Sequence, residues 1–531
     1  MVRFTGSPKV GKLGLACLLA LAIGPRGLSA QPQTARGVVF HDADGNGQRE
    51  AGEEGLAGIK VSNGREIVRT DAQGRYEITV ADDTTIFVLK PRNWSPPLNE
   101  TFLPRFFYTH KPAGSPPSRY PGVGPTGPLP ASVDFPLRPS AEPDRFEAIF
   151  FGDTQPRDLK EIGYIAHDVV AELIGATPAA FGVTLGDIVF DDLEMFEPLN
   201  RAIALMGLPW YNVIGNHDLN YDAPEDRLAD ETFERIYGPP YYSFDHGPVH
   251  FLVLDNVRWY GRTETRDGHY RPGLGEDQLE FIRNDLALIP GDQLLVLMMH
   301  IPLTARWEGT DRDDLFGLIE RRPLCFSVSA HTHWQAHQFL TAEQGWRGPA
   351  PHHHLINVTV CGSWWSGEPD ETGIPHATMQ GGAPNGYSII TFDGGSYSIR
   401  YKAARRPADY QMHVWAPEVV PSRDSGLAEV LVNVFAGSER SKVEMRVGEA
   451  GPWVELHRTI RPDPFFVRMK QREEAEGPST GYRRLPAIQD SQHLWQGFLP
   501  ENLAPGAHVI HVRTTDMFGQ TYSASRAIQV R

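Results

Sequence analysis

The sequence predicts a multidomain chain in which a central α/β domain is flanked by two all-β domains. Three observations carry this. At 531 residues the chain is longer than one hydrophobic core can organise. From Arg145 to about Tyr401, apolar runs of strand length alternate with helix-compatible stretches at 158–175, 192–206 and 276–288. On either side of that segment, short runs of alternating apolar and polar residues stand between turn signals. The expected units are residues 1–30, 31–140, 141–404 and 405–531.

Residues 1–30 read as a secretory signal peptide. Basic residues precede an apolar run from Leu13 to Ile23, and Leu28-Ser29-Ala30 offers a small-residue cleavage site. A run of that length is too short to cross a bilayer, which takes about 20 helical residues, and no later stretch is longer. Export to the periplasm or the extracellular space is the expectation. In such a compartment Cys325 and Cys361 are either a disulfide or two buried thiols, and both alternatives stand. A net charge of −16 repels polyphosphate and argues against a nucleic-acid polymer as partner.

Residues 36–90 alternate as a small antiparallel β-domain, and 91–140 hold thirteen prolines with scattered aromatics, a shaped connector that packs on a neighbour. Within this unit Asp42, Asp44, Asn46, Gly47, Gln48 and Glu53 fall at positions 1, 3, 5, 6, 7 and 12 of a twelve-residue calcium loop. The flanks are strand-like, so this is no EF-hand; the segment resembles the calcium-binding B-type repeats of bacterial surface adhesins. A cage filled by oxygens leaves no position for chemistry, so calcium here is expected to be structural. At the other end, alternation at 429–435, 442–447 and 508–513 predicts a C-terminal β-sandwich, with a long irregular loop expected at 468–495.

In the central unit, five polar clusters each follow an apolar run: Asp153-Thr-Gln155, Gly186-Asp187, Gly215-Asn216-His217-Asp218, His300 and His331-Thr-His333. Ligands at the carboxyl ends of neighbouring strands converge on one crevice. The five blocks in this order resemble the calcineurin-like metallophosphoesterase family over roughly residues 145–400. The resemblance implies a four-layer αββα core and a metal-dependent phosphoric ester hydrolase with two divalent cations. It implies that Asp187 bridges them, that Asp153 and His333 hold the first, and that Asn216, His300 and His331 hold the second. Gln155 stands where the family usually has histidine and is kept as a ligand; Ala330 replaces a glycine. A mixed nitrogen and oxygen set suits manganese, iron or zinc. Water between two such cations is acidified to a hydroxide that attacks phosphorus in line.

The resemblance also makes His217 the general acid or a donor to phosphate. Asp218 and Asp191 are both candidates to orient it, with Asp191 preferred because it follows the bridging strand. The aromatic, glycine-punctuated stretch after residue 352 could line the cleft, which makes His354, Trp364, Trp365 and Asn385 the candidate substrate contacts. This string is similar to exported bacterial phosphoesterases with an extra domain on each side of the catalytic one. The expected function is hydrolysis of a small organic phosphate mono- or diester. The rival expectation is a surface-binding protein with an inactive phosphoesterase core. A secreted protein phosphatase is less favoured, because no arginine follows the second aspartate in Gly186-Asp-Ile-Val-Phe-Asp191.

Overall fold

The computed structural model describes residues 32–477 and 481–531; the segment read as a signal peptide lies outside them. Two sheets organise the central region. In the first, the order is Trp210–Val213, Phe181–Leu185, Arg145–Phe151, Gly386–Asp393 and Ser396–Ala403. Its first three strands run parallel, and Gly386–Asp393 joins antiparallel to Arg145–Phe151. In the second, the order is Tyr242–His246, Val249–Val253, Leu294–Met298, Cys325–Ser329, His352–Ile356 and Ala336–Leu340. Its four inner strands are parallel, and an antiparallel strand closes each edge. Leu294–Met298 is buried at every position, as a parallel strand covered on both faces must be.

Strand alternation explains the layers. Phe150, Val183, Leu185 and Val213 face inward and meet Phe251, Leu295, Leu297 and Val328 of the other sheet. Ile149 and Phe151 point the other way, onto Ile162, Ile165, Leu199 and Ile203 of the helical layer. On the far side, helices Glu276–Leu286 and Asp311–Ile319 contribute Phe281, Ile282, Leu315 and Phe316. The result is the αββα layering. Every one of the five polar clusters sits just past the carboxyl end of a parallel strand, so all five loops open on one side of the paired sheets.

Before Arg145, two four-stranded sheets enclose Val39, Val61, Ile78, Ile86 and Leu137. This sandwich is not an appendage: Phe87, Leu89 and Phe106 belong to the same apolar cluster as the space between the central sheets. Lys90 Nζ reaches Glu142 Oε1 at 2.6 Å, and Lys60 Nζ reaches Asp285 Oδ1 at 3.3 Å. The proline-rich connector is anchored by buried Leu103, Phe106 and Tyr120. After residue 404, sheets of four and five strands enclose a second β-core around Val432, Trp495, Ile510 and Val512. Here the structure corrects one expectation. Residues 468–495 are not a continuous loop: Pro464–Ala475 is a helix, and Asp490–Phe498 is a strand. Asp463 caps the helix by accepting from the Phe466 N–H, with Pro464 in the first turn; the dense charge of the helix itself masks that start signal. Among the described residues no helix is long and apolar enough to cross a membrane.

Candidate metal centre

The clusters meet. His300 Nε2 lies 3.1 Å from Asn216 Oδ1, 3.1 Å from His331 Nδ1 and 3.2 Å from Asp187 Oδ1. His300 Nδ1–H donates to the Leu185 carbonyl at 2.9 Å, which fixes the tautomer and leaves the Nε2 lone pair facing these atoms. On the other side of Asp187, His333 Nε2 lies 3.7 Å from Asp153 Oδ1. His333 donates from Nδ1 to the Gly362 carbonyl at 2.6 Å, so its Nε2 also keeps a free lone pair. Asp153 Oδ2 accepts from the His331 N–H, but Asp153 Oδ1 is buried with no hydrogen-bond partner. Buried acceptors left facing one another are costly unless a cation lies among them. The donor set therefore fits two divalent ions.

Electrostatics agree. Burial opposes charge on His300, but Asp187 outweighs it and pushes the imidazole up to about 9. The pull that holds a proton there is the pull a cation would feel. Burial lowers His331 to about 3 and His333 to about 4, so both are neutral and free to ligate at ordinary pH. Burial, reinforced by Asp187, raises Asp153, while the surrounding imidazoles hold Asp187 below the usual carboxylate range against its own burial.

Convergence of this kind strains the backbone. Of fourteen non-glycine residues with positive φ among the described residues, eight lie here: Asp153, Gln155, Asp187, Asp191, His331, His333, Trp364 and Trp365. Each such conformation costs on the order of 1 kcal/mol and clusters where function requires it. Two glycines make the approach possible. A Cβ on Gly215 would stand 2.0 Å from the Asp187 nitrogen, and one on Gly186 would stand 2.5 Å from the His300 ring.

Gln155 reaches the expected place in a different orientation. Its Nε2 donates to Asp187 Oδ2 at 2.7 Å, and its Oε1 faces Cys361 Sγ at 3.7 Å. Ligation through oxygen requires the amide to turn over, an exchange of near-identical shapes. His217 projects at the mouth with Nδ1 2.5 Å from Asp191 Oδ1. Burial opposes its charge, yet Asp187 and Asp191 raise its pKa. Asp218 does something else: it is buried and accepts from the N–H groups of Ile188, Val189 and Gly215, tying two ligand loops together. The proline-rich connector contributes as well, since Tyr120 Oη donates to the Asp191 carbonyl at 3.1 Å.

Three of the four expected substrate contacts are corrected. His354 is fully buried; its ring nitrogens are held by the Ser327 and Ser329 hydroxyls, and burial lowers it to about 3. Its strand packs between two others, so it has no face for a ligand. Trp365 is buried, with its N–H donated to the Thr154 carbonyl. Asn385 is buried and donates to Asp168 and to the Val360 carbonyl. Trp364 alone stays partly open, its indole stacked on the His333 ring at 3.9 Å. Cys325 and Cys361 are both free thiols, and Cys361 packs against Gln155 and His333. Residues the sequence did not single out complete the mouth. Phe190 stacks on His217 at 4.5 Å, and Tyr221 donates to the Asn216 carbonyl at 2.7 Å. Phe190 could have been found as the residue before Asp191 in the bridging loop; Tyr221 carried no signal.

In the N-terminal loop, oxygens of Asp42, Asp44 and Glu53 lie within 4.8 Å of one another. They are already engaged: Asp42 accepts from Gly45 and Gly47, Asp44 from Asn46, and Glu53 from Ala43 and Glu50. Asn46 accepts from Gln48.

Comparison with known proteins gives three consecutive matches. The calcineurin-like phosphoesterase model matches residues 146–335, the model for its N-terminal part residues 43–120, and the model for its C-terminal part residues 354–522. The last begins inside the second central sheet, so it does not respect the gap between sheets near residue 404. A bovine protein, serine/threonine-protein phosphatase CPPED1 (Bos taurus), is 32% identical over 130 residues, 24% of this chain and 38% of that one. The chain thus spans well under half the length of this relative. The structure of purple acid phosphatase PPD1 from yellow lupin (Lupinus luteus) seeds aligns with a TM-score of 0.35 at 11% identity, over 71% of this chain and 67% of that chain. With three models of one family arrayed in order along residues 43–522, the chain belongs to the calcineurin-like phosphoesterases.

Proposed function

We propose that this chain is an exported two-cation phosphoesterase acting on a small organic phosphate ester. The observation that carries the reading is the buried convergence of Asp153, Asp187, Asn216, His300, His331 and His333, with an orphaned Asp153 oxygen and imidazole lone pairs turned inward. Asp187 would bridge, Asp153, His333 and a turned Gln155 would hold one ion, and Asn216, His300 and His331 the other. When bound, such ions acidify water and neutralise charge on phosphoryl oxygens. The chain's own residues supply the rest. His217, polarised by Asp191, delivers a proton to the leaving oxygen or donates to the phosphate. Trp364 covers His333 and excludes water from one wall. Asp218 fixes the relative positions of the loops that bear Asp187 and Asn216.

Export is supported by the N-terminal charge and hydropathy pattern, and structural calcium by the spacing of Asp42, Asp44, Asn46 and Glu53. The bovine relative's name makes a phosphopeptide one substrate to try. The deciding experiment is hydrolysis of aryl phosphate monoesters and diesters by the mature chain with manganese, iron or zinc. Metal-dependent turnover that disappears in Asp187→Ala supports the proposal; turnover that persists in that variant refutes it.

A further inference from the structure

The loop that delivers Asp153 and Gln155 continues through Pro156 to Arg157, which sets a guanidinium at the mouth of the site. Arg157 lies over the Phe190 ring at 4.0 Å, and Phe190 in turn stacks on His217. Arg157 Nη1 donates to the Trp364 carbonyl at 3.2 Å, and the Trp364 indole covers His333. One side chain thus spans the interval between the proton donor and a metal ligand. A second guanidinium arrives from far along the chain. Arg483, between the Pro464–Ala475 helix and the Asp490–Phe498 strand, donates to the same carbonyl at 2.7 Å and to Glu161 Oε1 at 3.0 Å. Glu161 Oε2 is occupied by the Arg157 backbone N–H at 2.8 Å and lies 3.5 Å from its Nη1.

Two arginines therefore share one carboxylate and one carbonyl. Each guanidinium has five N–H donors, so most remain unspent. Arg157 is 24% exposed and Arg483 41%, open enough to meet a ligand. Burial, and next the neighbouring Arg483, disfavour the charge on Arg157. Placing two like charges together without a matching pair of acids is unfavourable, and an anion between them reverses the sign.

We propose that Arg157 and Arg483 form an anion clamp that grips a second acidic group of the substrate, a phosphate or carboxylate distinct from the phosphoryl group that reacts. This rests on the phosphoesterase reading above. It makes the C-terminal domain part of the substrate site and makes phosphate esters that carry a second acidic group the preferred class.

The test compares three substrates on the manganese-loaded mature chain: phenyl phosphate, 4-carboxyphenyl phosphate and 1,4-phenylene bisphosphate. The last two separate carboxylate from phosphate as the gripped group. Wild type is expected to favour at least one of them over phenyl phosphate by about tenfold in kcat/KM, through KM. Arg483→Gln should erase most of that preference, Arg483→Lys should restore part of it, and 0.5 M salt should weaken it. Arg472→Gln, which removes the nearby contact to Glu368, should keep the wild-type preference. Arg157→Gln should erase the preference as Arg483→Gln does. A wild type that turns over phenyl phosphate without preferring either substrate with a second acidic group overturns the clamp alone, as does a preference untouched by Arg483→Gln. A chain that hydrolyses none of the three, and no aryl phosphate diester with manganese, iron or zinc, overturns the phosphoesterase reading, and the clamp with it.

Discussion

The acidic loop at 42–53 and the central crevice gather oxygen donors by opposite routes. In the loop, the candidate ligands fall within twelve residues; Asp42 is buried, Glu53 half-buried and the others exposed. Their carboxylates are satisfied by backbone N–H groups of the same turn. In the crevice the ligands come from five loops spread over residues 153–333, are mostly buried, and leave Asp153 Oδ1 without a hydrogen-bond partner. A loop that satisfies itself holds its shape with or without an ion. A buried set that does not satisfy itself bears a desolvation cost until an ion arrives. Ligand spacing along the chain and dependence on metal are therefore separate properties.

That contrast can be broken most severely at Asp187. Asp187→Asn should lower metal-dependent turnover by on the order of a thousandfold while leaving a folded, cooperatively melting chain. Turnover within tenfold of wild type would deny the bridging role. Next in size, His217→Gln should slow hydrolysis by about a hundredfold for poor leaving groups and much less for 4-nitrophenyl phosphate, whose leaving oxygen needs little protonation. An equal loss for both would make His217 a phosphate ligand and not an acid.

Stability gives two smaller tests. His250 is buried between Asp245 and Asp285, at 2.7 and 2.8 Å, beside the Lys60 contact that ties the N-terminal sandwich to the centre. Burial opposes its charge, but the two carboxylates raise it from 6.5 to about 9. Its contribution is therefore complete below pH 6.5 and is lost as pH rises through about 9. The melting temperature should fall by a few degrees across that window, and His250→Gln should flatten the fall; a wild type insensitive to pH there would remove the charged triad. Smallest is the loop itself. Millimolar calcium should raise the melting transition by about 2–4 °C, and Glu53→Gln should abolish the shift. No shift in wild type would leave 42–53 as a hairpin turn without a cation.

Legibility tracks locality. The parallel strands announce themselves as unbroken apolar runs, and each ligand block stands immediately after one, so their convergence follows from the sequence. Asp191 is favoured over Asp218 by its place after the bridging strand, and the structure sets it against His217. His354 and Trp365 mislead because histidine and tryptophan near a cleft look alike whether they face solvent or a second layer. Only the register of the His352–Ile356 strand against Cys325–Ser329, with Ser327 opposite His354, turns that histidine into a core residue. The Pro464–Ala475 helix escapes a sequence reading because its exposed face carries the charge usually seen in loops, with only Phe466 and Glu473 buried.

Neighbouring residues were enough to set the order of strands and ligand loops and the donor types available to a cation, because hydrophobic period and turn chemistry are local properties of the chain. Which side chains share the mouth of the crevice is settled only by tertiary packing. Arg157 and Arg483, far apart in the chain, meet on one carbonyl because two domains fold against each other. Long-range contacts of that kind are set by how surfaces pack, and no local pattern in the chain encodes them.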